Sequence, residues 1–364
     1  MQILKSDFFD NMGLGDISTK VANRERLTFD DGMRLFNCPE PLAVGALAQQ
    51  VRARLHGDKA FYVVNRHINY TNICVNGCAF CAYQREEGQP GGFVLSLDEA
   101  LARIDASPLP PREIHIVGGC HPRLGLDYFE ALLQAIRQRL PEAVLKCFTA
   151  VEIAHFARLE NIATREVLER LQAAGLGMLP GGGAEIFAPA VRERICPRKS
   201  TADQWLAIHE EAHALGIKTN CTMLFGHIEA RADRIDHLIR LRESQDRSHG
   251  YTCFIPLPFL TENSTLTIDK PLTGLEELRT IAISRLMLDN IPHIKAYWVM
   301  LGVKQAQAAL KFGADDFDGT VVEEKIGHEA GATSEQGLTR AGLEAMIRGC
   351  GCTPIERDAY FNEV

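Results

Sequence analysis

From residue 60 onward the chain repeats one unit: an apolar, β-rich run, a turn, and an amphipathic helical stretch. Eight runs carry the strand pattern, at 61–69, 113–117, 144–149, 177–179, 218–224, 251–255, 294–298 and 316–319. Helical patterns at 97–106, 126–140, 164–174, 201–215, 232–244, 274–288 and 303–312 separate them, several ending in glycine. Strands that alternate with helices at this interval pair in parallel through right-handed crossovers, and eight such units close on themselves. The expected fold class is α/β, a (β/α)8 barrel of the TIM type over 61–337. A barrel of six units that closes only partly is the alternative.

The ends read differently. Thr28 and Asp31 form a capping-box-like pair ahead of one helix, and Pro41 to Leu55 reads as a second. Residues 1–60 are therefore expected to form a helical extension that plugs or flanks the barrel. Residues 338–364 are expected to add a short helix, Arg340 to Arg348 capped by Thr339, packed on the same unit.

The 46% apolar content of 364 residues is enough to fill such a core. A net charge of −8, with no Lys/Arg run, gives no electrostatic footprint for nucleic acid. The opening MQILKSDFFDNMGLGD lacks the basic start and apolar centre of a signal peptide, and no stretch approaches 18 uninterrupted apolar residues. A soluble cytoplasmic chain is expected, with no membrane partner. Eleven cysteines then read as thiols or metal ligands rather than disulfides. Cys38, Cys120, Cys147, Cys196, Cys221 and Cys253 lie among apolar neighbours as small buried side chains, and Cys350-x-Cys352 has no partner pair.

Three cysteines do cluster: Cys74-x-x-x-Cys78-x-x-Cys81, directly after the first strand. Three thiolates can hold three irons of a cubane and leave the fourth open, whereas a closed structural site takes four ligands. In a parallel barrel the loops after the strands form the active face, so the motif stands where chemistry belongs. Asn65, His67 and Asn69 alternate along that strand and share a face. Phe80 and Tyr83 surround the thiols and would control their dielectric. Later strands end in Gly118-Gly119-Cys120-His121-Pro122, in Pro180-Gly181-Gly182-Gly183-Ala184-Glu185, in Phe225-Gly226-His227-Ile228-Glu229 and in Phe254-Ile255-Pro256. The glycines admit a close ligand and the triplet exposes N–H donors.

Cys-x3-Cys-x-aromatic-Cys after a first barrel strand resembles the radical S-adenosylmethionine superfamily. The resemblance implies a 4Fe-4S cluster on Cys74, Cys78 and Cys81 whose open iron chelates S-adenosylmethionine, with Phe80 beside it. It implies that Gly118 and Gly119 bind the methionyl amine, with Cys120 in place of the usual Glu. Gly226 to Glu229 is similar to the fifth-strand motif near adenine, and Phe254 and Ile255 occupy its other edge. Glu185 and Asn220 are ribose ligands by position.

The strings HINYTNICVNGCAFCAY, HIVGGCHP, LPGGGAEIF, TMLFGHIE and FGADDFDGTVVEEKIGHEAGA resemble the futalosine branch of the menaquinone pathway, its adenosyl-transferring synthases more than its sibling cyclases. The implied reaction adds an adenosyl radical to the vinyl ether of 3-[(1-carboxyvinyl)oxy]benzoate, followed by rearrangement and loss of carboxylate. A low-potential donor such as flavodoxin or ferredoxin would supply the electron. Arg85, His67, His227 and His328 are candidates to receive the two carboxylates, with Asn69 beside His67. Asp316, Asp318 and Glu323 are candidates for acid/base steps. A cyclase releasing 5′-deoxyadenosine and a non-catalytic iron–sulfur or metal-binding protein are the competing readings.

Overall fold

The computed structural model describes residues 6–107 and 109–364. Residues 1–5, the start of the segment read as lacking a signal peptide, lie outside the described residues. Among the described residues the strands are β1 Lys59–Val63, β2 Asn65–Ile68, β3 Glu113–Ile116, β4 Val144–Cys147, β5 Met178–Leu179, β6 Lys218–Phe225, β7 Tyr251–Pro258, β8 His293–Ile294, β9 Asp316–Gly319 and β10 Thr353–Glu356. Every expected strand is present in some form, all paired in parallel.

The sheet runs in the order β2-β3-β4-β5-β6-β7-β8, beside a three-stranded sheet β10-β1-β9. Backbone bonds join the two into a closed wall. Asp315 N–H donates to Ile294 O at 3.0 Å and Ala296 N–H to Asp316 O at 2.7 Å, tying β8 to β9. His67 N–H donates to Val322 O at 3.1 Å, which ties the segment after β9 back to β2.

Three details depart from the sequence reading. The expected strand 61–69 divides at Val64, so that β1 pairs with β9 and β10 while β2 pairs with β3. The strand at 294–298 stops early. Trp298 opens a short helix, Trp298–Leu301, and its indole donates to Gly319 O at 2.9 Å. The tail contains the strand β10 as well as its expected helix. As the edge strand of its sheet, β10 accommodates Pro354 without loss of a ladder bond that a central strand would need.

Thr28 and Asp31 close a true capping box at the helix Phe29–Asn37, and Thr339 caps Arg340–Gly349. The N-terminal helices flank the barrel. Pro41–His56 packs on Gly274–Met287, and buried Arg52 donates to Gly57 O at 2.9 Å and Ala314 O at 3.3 Å.

Between strands and helices the core is apolar. In Leu126–Arg139 the buried positions are Leu126, Phe129, Leu132, Leu133 and Ile136, the last four spaced i, i+3, i+4 and i+7. The Phe129 ring meets Tyr70 at 5.0 Å, Phe148 at 5.0 Å and Phe156 at 4.3 Å, so its truncation to Ala would cost about 3–5 kcal/mol. The lumen is polar instead. Side-chain alternation turns Asn65, His67, Glu113, His115 and Lys146 inward, with His67 opposite His115 and His115 opposite Lys146.

Candidate active site

The cysteine loop leaves β2 as irregular backbone and is sewn to its neighbours by main-chain bonds. Cys74 N–H donates to Arg85 O at 3.1 Å, Val75 N–H to Cys120 O at 3.1 Å, and Ala79 N–H to Ile195 O at 2.9 Å. Gly119 shows why glycine is needed beside it: a Cβ there would stand 2.3 Å from Ile73 O and 3.0 Å from Cys74 Cβ. Gly118 is similarly blocked by the Tyr70 ring at 2.8 Å. The paired glycines therefore admit the cysteine loop, whatever else they admit.

Cys74, Cys78 and Cys81 are half-buried and line a cavity of about 320 Å³. Among the described residues the potential metal ligands within 4.8 Å of one another are His56, His293 and Asp315, not these thiols. A single tetrahedral ion with metal–sulfur bonds of about 2.3 Å would bring sulfurs to about 3.8 Å. The wider spread fits a cluster better than one ion. The surroundings act unequally on the three sulfurs. A hydrogen bond with Cys120 draws the Cys74 thiol down to about 6, opposed by burial. Burial pushes Cys78 up to about 12 and Cys81 up, with the Lys199 charge opposing both. Lys199 pairs with Glu185 at 2.5 Å and lies 5.2 Å from the centre of the Phe80 ring.

A second carboxylate serves the rim. Glu152, buried in the helix Ala150–Glu160, accepts Tyr70 OH at 2.7 Å and Gly118 N–H at 3.0 Å on one oxygen. Its other oxygen accepts the Thr149 amide at 2.7 Å and hydroxyl at 2.8 Å. Burial raises this carboxyl to about 7, against those hydrogen bonds. Glu152 thus places its carboxyl group on Gly118 from the helix after β4, where Cys120 supplies none.

Of the residues nominated by sequence, Phe80, Gly118, Gly119, Glu185, Asn220, Ile255, His67, Asn69 and Asp318 line this cavity with the three thiols. The others stand elsewhere for identifiable reasons. Strand alternation turns Ile255 and Leu257 inward and Phe254 outward into the core. Glu229 is consumed by its own turn: it accepts Gly226 N–H at 2.6 Å and His227 N–H at 2.9 Å and pairs with Arg234 at 2.7 Å. His227 is buried between Leu224 O at 3.1 Å and Glu229 at 3.0 Å.

Arg85 donates to Ala82 O and Gln84 O, each at 2.8 Å, and clasps the cysteine loop rather than a ligand. Asp316 is buried against Arg357 at 2.5 Å. Glu323 pairs with Arg66 at 3.2 Å, and His328 bonds Glu324 O at 2.8 Å.

Sequence reasoning missed Glu113, His115, Lys146, Lys295, Glu324 and Glu152 on the cavity wall. A signal existed for some of them. A lysine inside Val144–Cys147, or acid and histidine at alternate positions of Glu113–Ile116, is costly unless it faces a polar lumen. Glu152 was hidden because it doubles as the third residue of a capping box.

Comparison with known proteins agrees with this geometry. The family model described as Radical SAM superfamily matches residues 68–241, and the one described as CofH/MqnC C-terminal region matches 248–363. The chain is 43% identical to the aminodeoxyfutalosine synthase of Thermus thermophilus over 96% of its own length and 95% of that protein's. It is 37% identical to a 5-amino-6-(D-ribitylamino)uracil–L-tyrosine 4-hydroxyphenyl transferase of Methanosarcina acetivorans, over 94% of this chain and 92% of that protein. Among solved structures, methylornithine synthase superposes with a TM-score of 0.75 at 17% identity, covering 93% of this chain and 96% of that one, a likeness of fold. Superfamily members use a 4Fe-4S cluster and S-adenosylmethionine, the cofactors that three spread thiols in a barrel mouth can hold. The chain belongs to the radical S-adenosylmethionine superfamily, to the branch that carries the CofH/MqnC C-terminal region.

Proposed function

We propose that this chain is an aminofutalosine synthase, which joins the adenosyl group of S-adenosylmethionine to 3-[(1-carboxyvinyl)oxy]benzoate, with rearrangement and decarboxylation, on the route to menaquinone. The observation that carries the reading is the 43% identity to an aminodeoxyfutalosine synthase along nearly the whole of both chains. Cys74, Cys78 and Cys81 would hold the cluster. When bound, it supplies the electron that splits S-adenosylmethionine into methionine and an adenosyl radical.

The chain's own residues then have to position and exclude. The Glu152 clamp fixes Gly118 against Tyr70, and Gly119 donates to Thr71 O at 2.9 Å, so the rim facing the thiols is rigid. Leu224, Ile255, Leu257, Phe259 and Met300 give the cavity an apolar wall that keeps water from a reactive radical. A radical reacts with whichever carbon lies within about 3–3.5 Å, so this packing selects the product. Glu185 and Asn220 stand on the same wall as candidates for the ribose hydroxyls. Residues 61–337 form the catalytic barrel, with 1–60 and 338–364 as extensions of the same unit. The reading includes a cytoplasmic enzyme reduced by flavodoxin or ferredoxin. Among the described residues no helix is long and apolar enough to cross a membrane.

The test is anaerobic incubation of reduced, cluster-loaded protein with S-adenosylmethionine and the vinyl-ether benzoate, followed by product mass. An adenosylated, decarboxylated product supports the reading. In a parallel incubation with dehypoxanthine futalosine in place of the benzoate, free 5′-deoxyadenosine made in step with a cyclised product would assign the sibling cyclase instead. The 37% relatives favour one further arm, with L-tyrosine and 5-amino-6-(D-ribitylamino)uracil as substrates, and a 4-hydroxyphenyl adduct there would replace the proposal.

A further inference from the structure

Two ammonium groups in the lumen have no task in the account above. Lys146, from β4, and Lys295, just beyond β8, line the cavity while only 4% and 3% exposed. Three strands separate β4 from β8 in the sheet order, so the two lysines stand on different walls of the barrel. Lys146 meets Glu113 at 2.6 Å, and Lys295 meets Asp318, with Asp316 farther away at 3.7 Å.

An ammonium carries three donors and no acceptor. Among the described residues each lysine has one acid at hydrogen-bonding distance, so donors remain that face the cavity. A buried charge left so incompletely bonded is expensive unless something fills the space beside it. The paired acids keep the ammonium in place. Burial disfavours the charge at both: it lowers Lys146 in spite of Glu113, whereas Asp318 and Asp316 hold Lys295 above its ordinary range. Of the groups nominated from sequence, Arg85 is engaged by loop carbonyls, His227 by Leu224 and Glu229, and His328 by Glu324, while His67 lines the cavity but burial lowers it and disfavours its charge.

We infer that Lys146 and Lys295 are substrate-binding residues, each taking one carboxylate of a dicarboxylate held across the barrel floor. The assignment rests on the functional reading above and deepens it. Anchoring both ends would fix the vinyl ether between them, and a charge-assisted bond at each end adds both affinity and register.

Calorimetric binding to the anaerobic, cluster-loaded protein with S-adenosylmethionine and no reductant tests this without turnover. The ligands are 3-[(1-carboxyvinyl)oxy]benzoate and its two monomethyl esters. Removing a lysine alone would strand a buried acid, so the variants are paired: Glu113→Gln with Lys146→Gln, and Asp318→Asn with Lys295→Gln. Each pair is expected to weaken diacid binding by about tenfold or more, as loss of a charged hydrogen bond does, while iron content and S-adenosylmethionine affinity stay as in wild type. Each monoester should be insensitive to one pair and remain sensitive to the other, a coupling that a merely structural role would not produce.

Diacid affinity within about twofold of wild type in both variants overturns the assignment. So does equal sensitivity of every ester to both pairs. If a paired variant fails to load iron, Lys146→Arg and Lys295→Arg keep the charge and change its reach. A diacid Kd unmoved in both of these also overturns it. A wild-type protein that binds no diacid overturns the functional reading itself, and this assignment with it.

Discussion

The Tyr70 hydroxyl donates to the Glu152 carboxylate at 2.7 Å, joining residues 82 apart in sequence. Because the same carboxylate also holds Gly118 and Thr149, one side chain fastens the loops after β2, β3 and β4. Those three loops carry the thiols, the glycine pair and the start of the helix Ala150–Glu160.

That clamp has a pH signature. Burial keeps the Glu152 carboxyl at about 7, above its ordinary 4.5. The folded protein therefore holds a proton that the unfolded chain releases. The stability tied to this group is full below pH 4.5 and declines as pH rises through 7. In urea unfolding, the gap between wild type and Glu152→Gln is expected to change between pH 5 and pH 8 by up to about 3 kcal/mol, with wild type losing more as pH rises. A gap that stays constant over that range contradicts the assignment.

Gly119→Ala tests the fit between the glycine pair and the cysteine loop. Its new Cβ would meet backbone at 2.3 Å, which no side-chain rotation relieves. The expected cost is about 1–3 kcal/mol, concentrated on the loop that presents Cys74. Iron per chain should fall well below that of wild type while far-ultraviolet dichroism is unchanged. Full iron loading would show that the loop can retreat.

Arg357 and Asp316 form a buried pair that joins the tail to β9. Arg357→Ala leaves the carboxylate with Lys295 at 3.7 Å, a partner already engaged by Asp318. The expected loss is about 3–5 kcal/mol of unfolding free energy, read from urea titration. The double change Arg357→Met with Asp316→Asn should recover most of it, because no charge is then stranded.

His328 is held up at about 9, first by its hydrogen bond with Glu324 and against burial. Its contribution is complete below pH 6.5 and is lost as pH rises through 9. Amide exchange across Ile326–Glu329, corrected for intrinsic rates, should quicken in wild type between pH 7 and pH 10. In His328→Gln it should already be quick at pH 7.

The barrel was legible because alternation of strand and helix is a one-dimensional pattern, and so was the thiol motif, whose cysteines lie within eight residues from Cys74 to Cys81. What escaped depends on contacts between distant segments. Glu229 lies in a motif similar to one near adenine, yet its carboxylate is spent on the turn of Gly226 and His227. Phe254 and Ile255 are neighbours in sequence, and only the pleat decides which one sees the cavity. Lys146 and Lys295 are each a single charge in an apolar run, and their shared purpose becomes visible once β4 and β8 stand around one lumen. β10 was not among the expected strands, and it tolerates Pro354 because it lies at a sheet edge, which only the pairing reveals.

The wall closes through β9, which stands between β8 and β1, the latter more than 250 residues earlier. During synthesis the seven strands β2 to β8 must therefore wait as an open trough until residues past Gly319 leave the ribosome. Until then Lys295 has no Asp318, and the polar lining faces bulk solvent. Metallation machinery would meet the thiol loop in a half-built vessel, so the order of iron delivery and C-terminal emergence becomes a biogenesis problem set by topology.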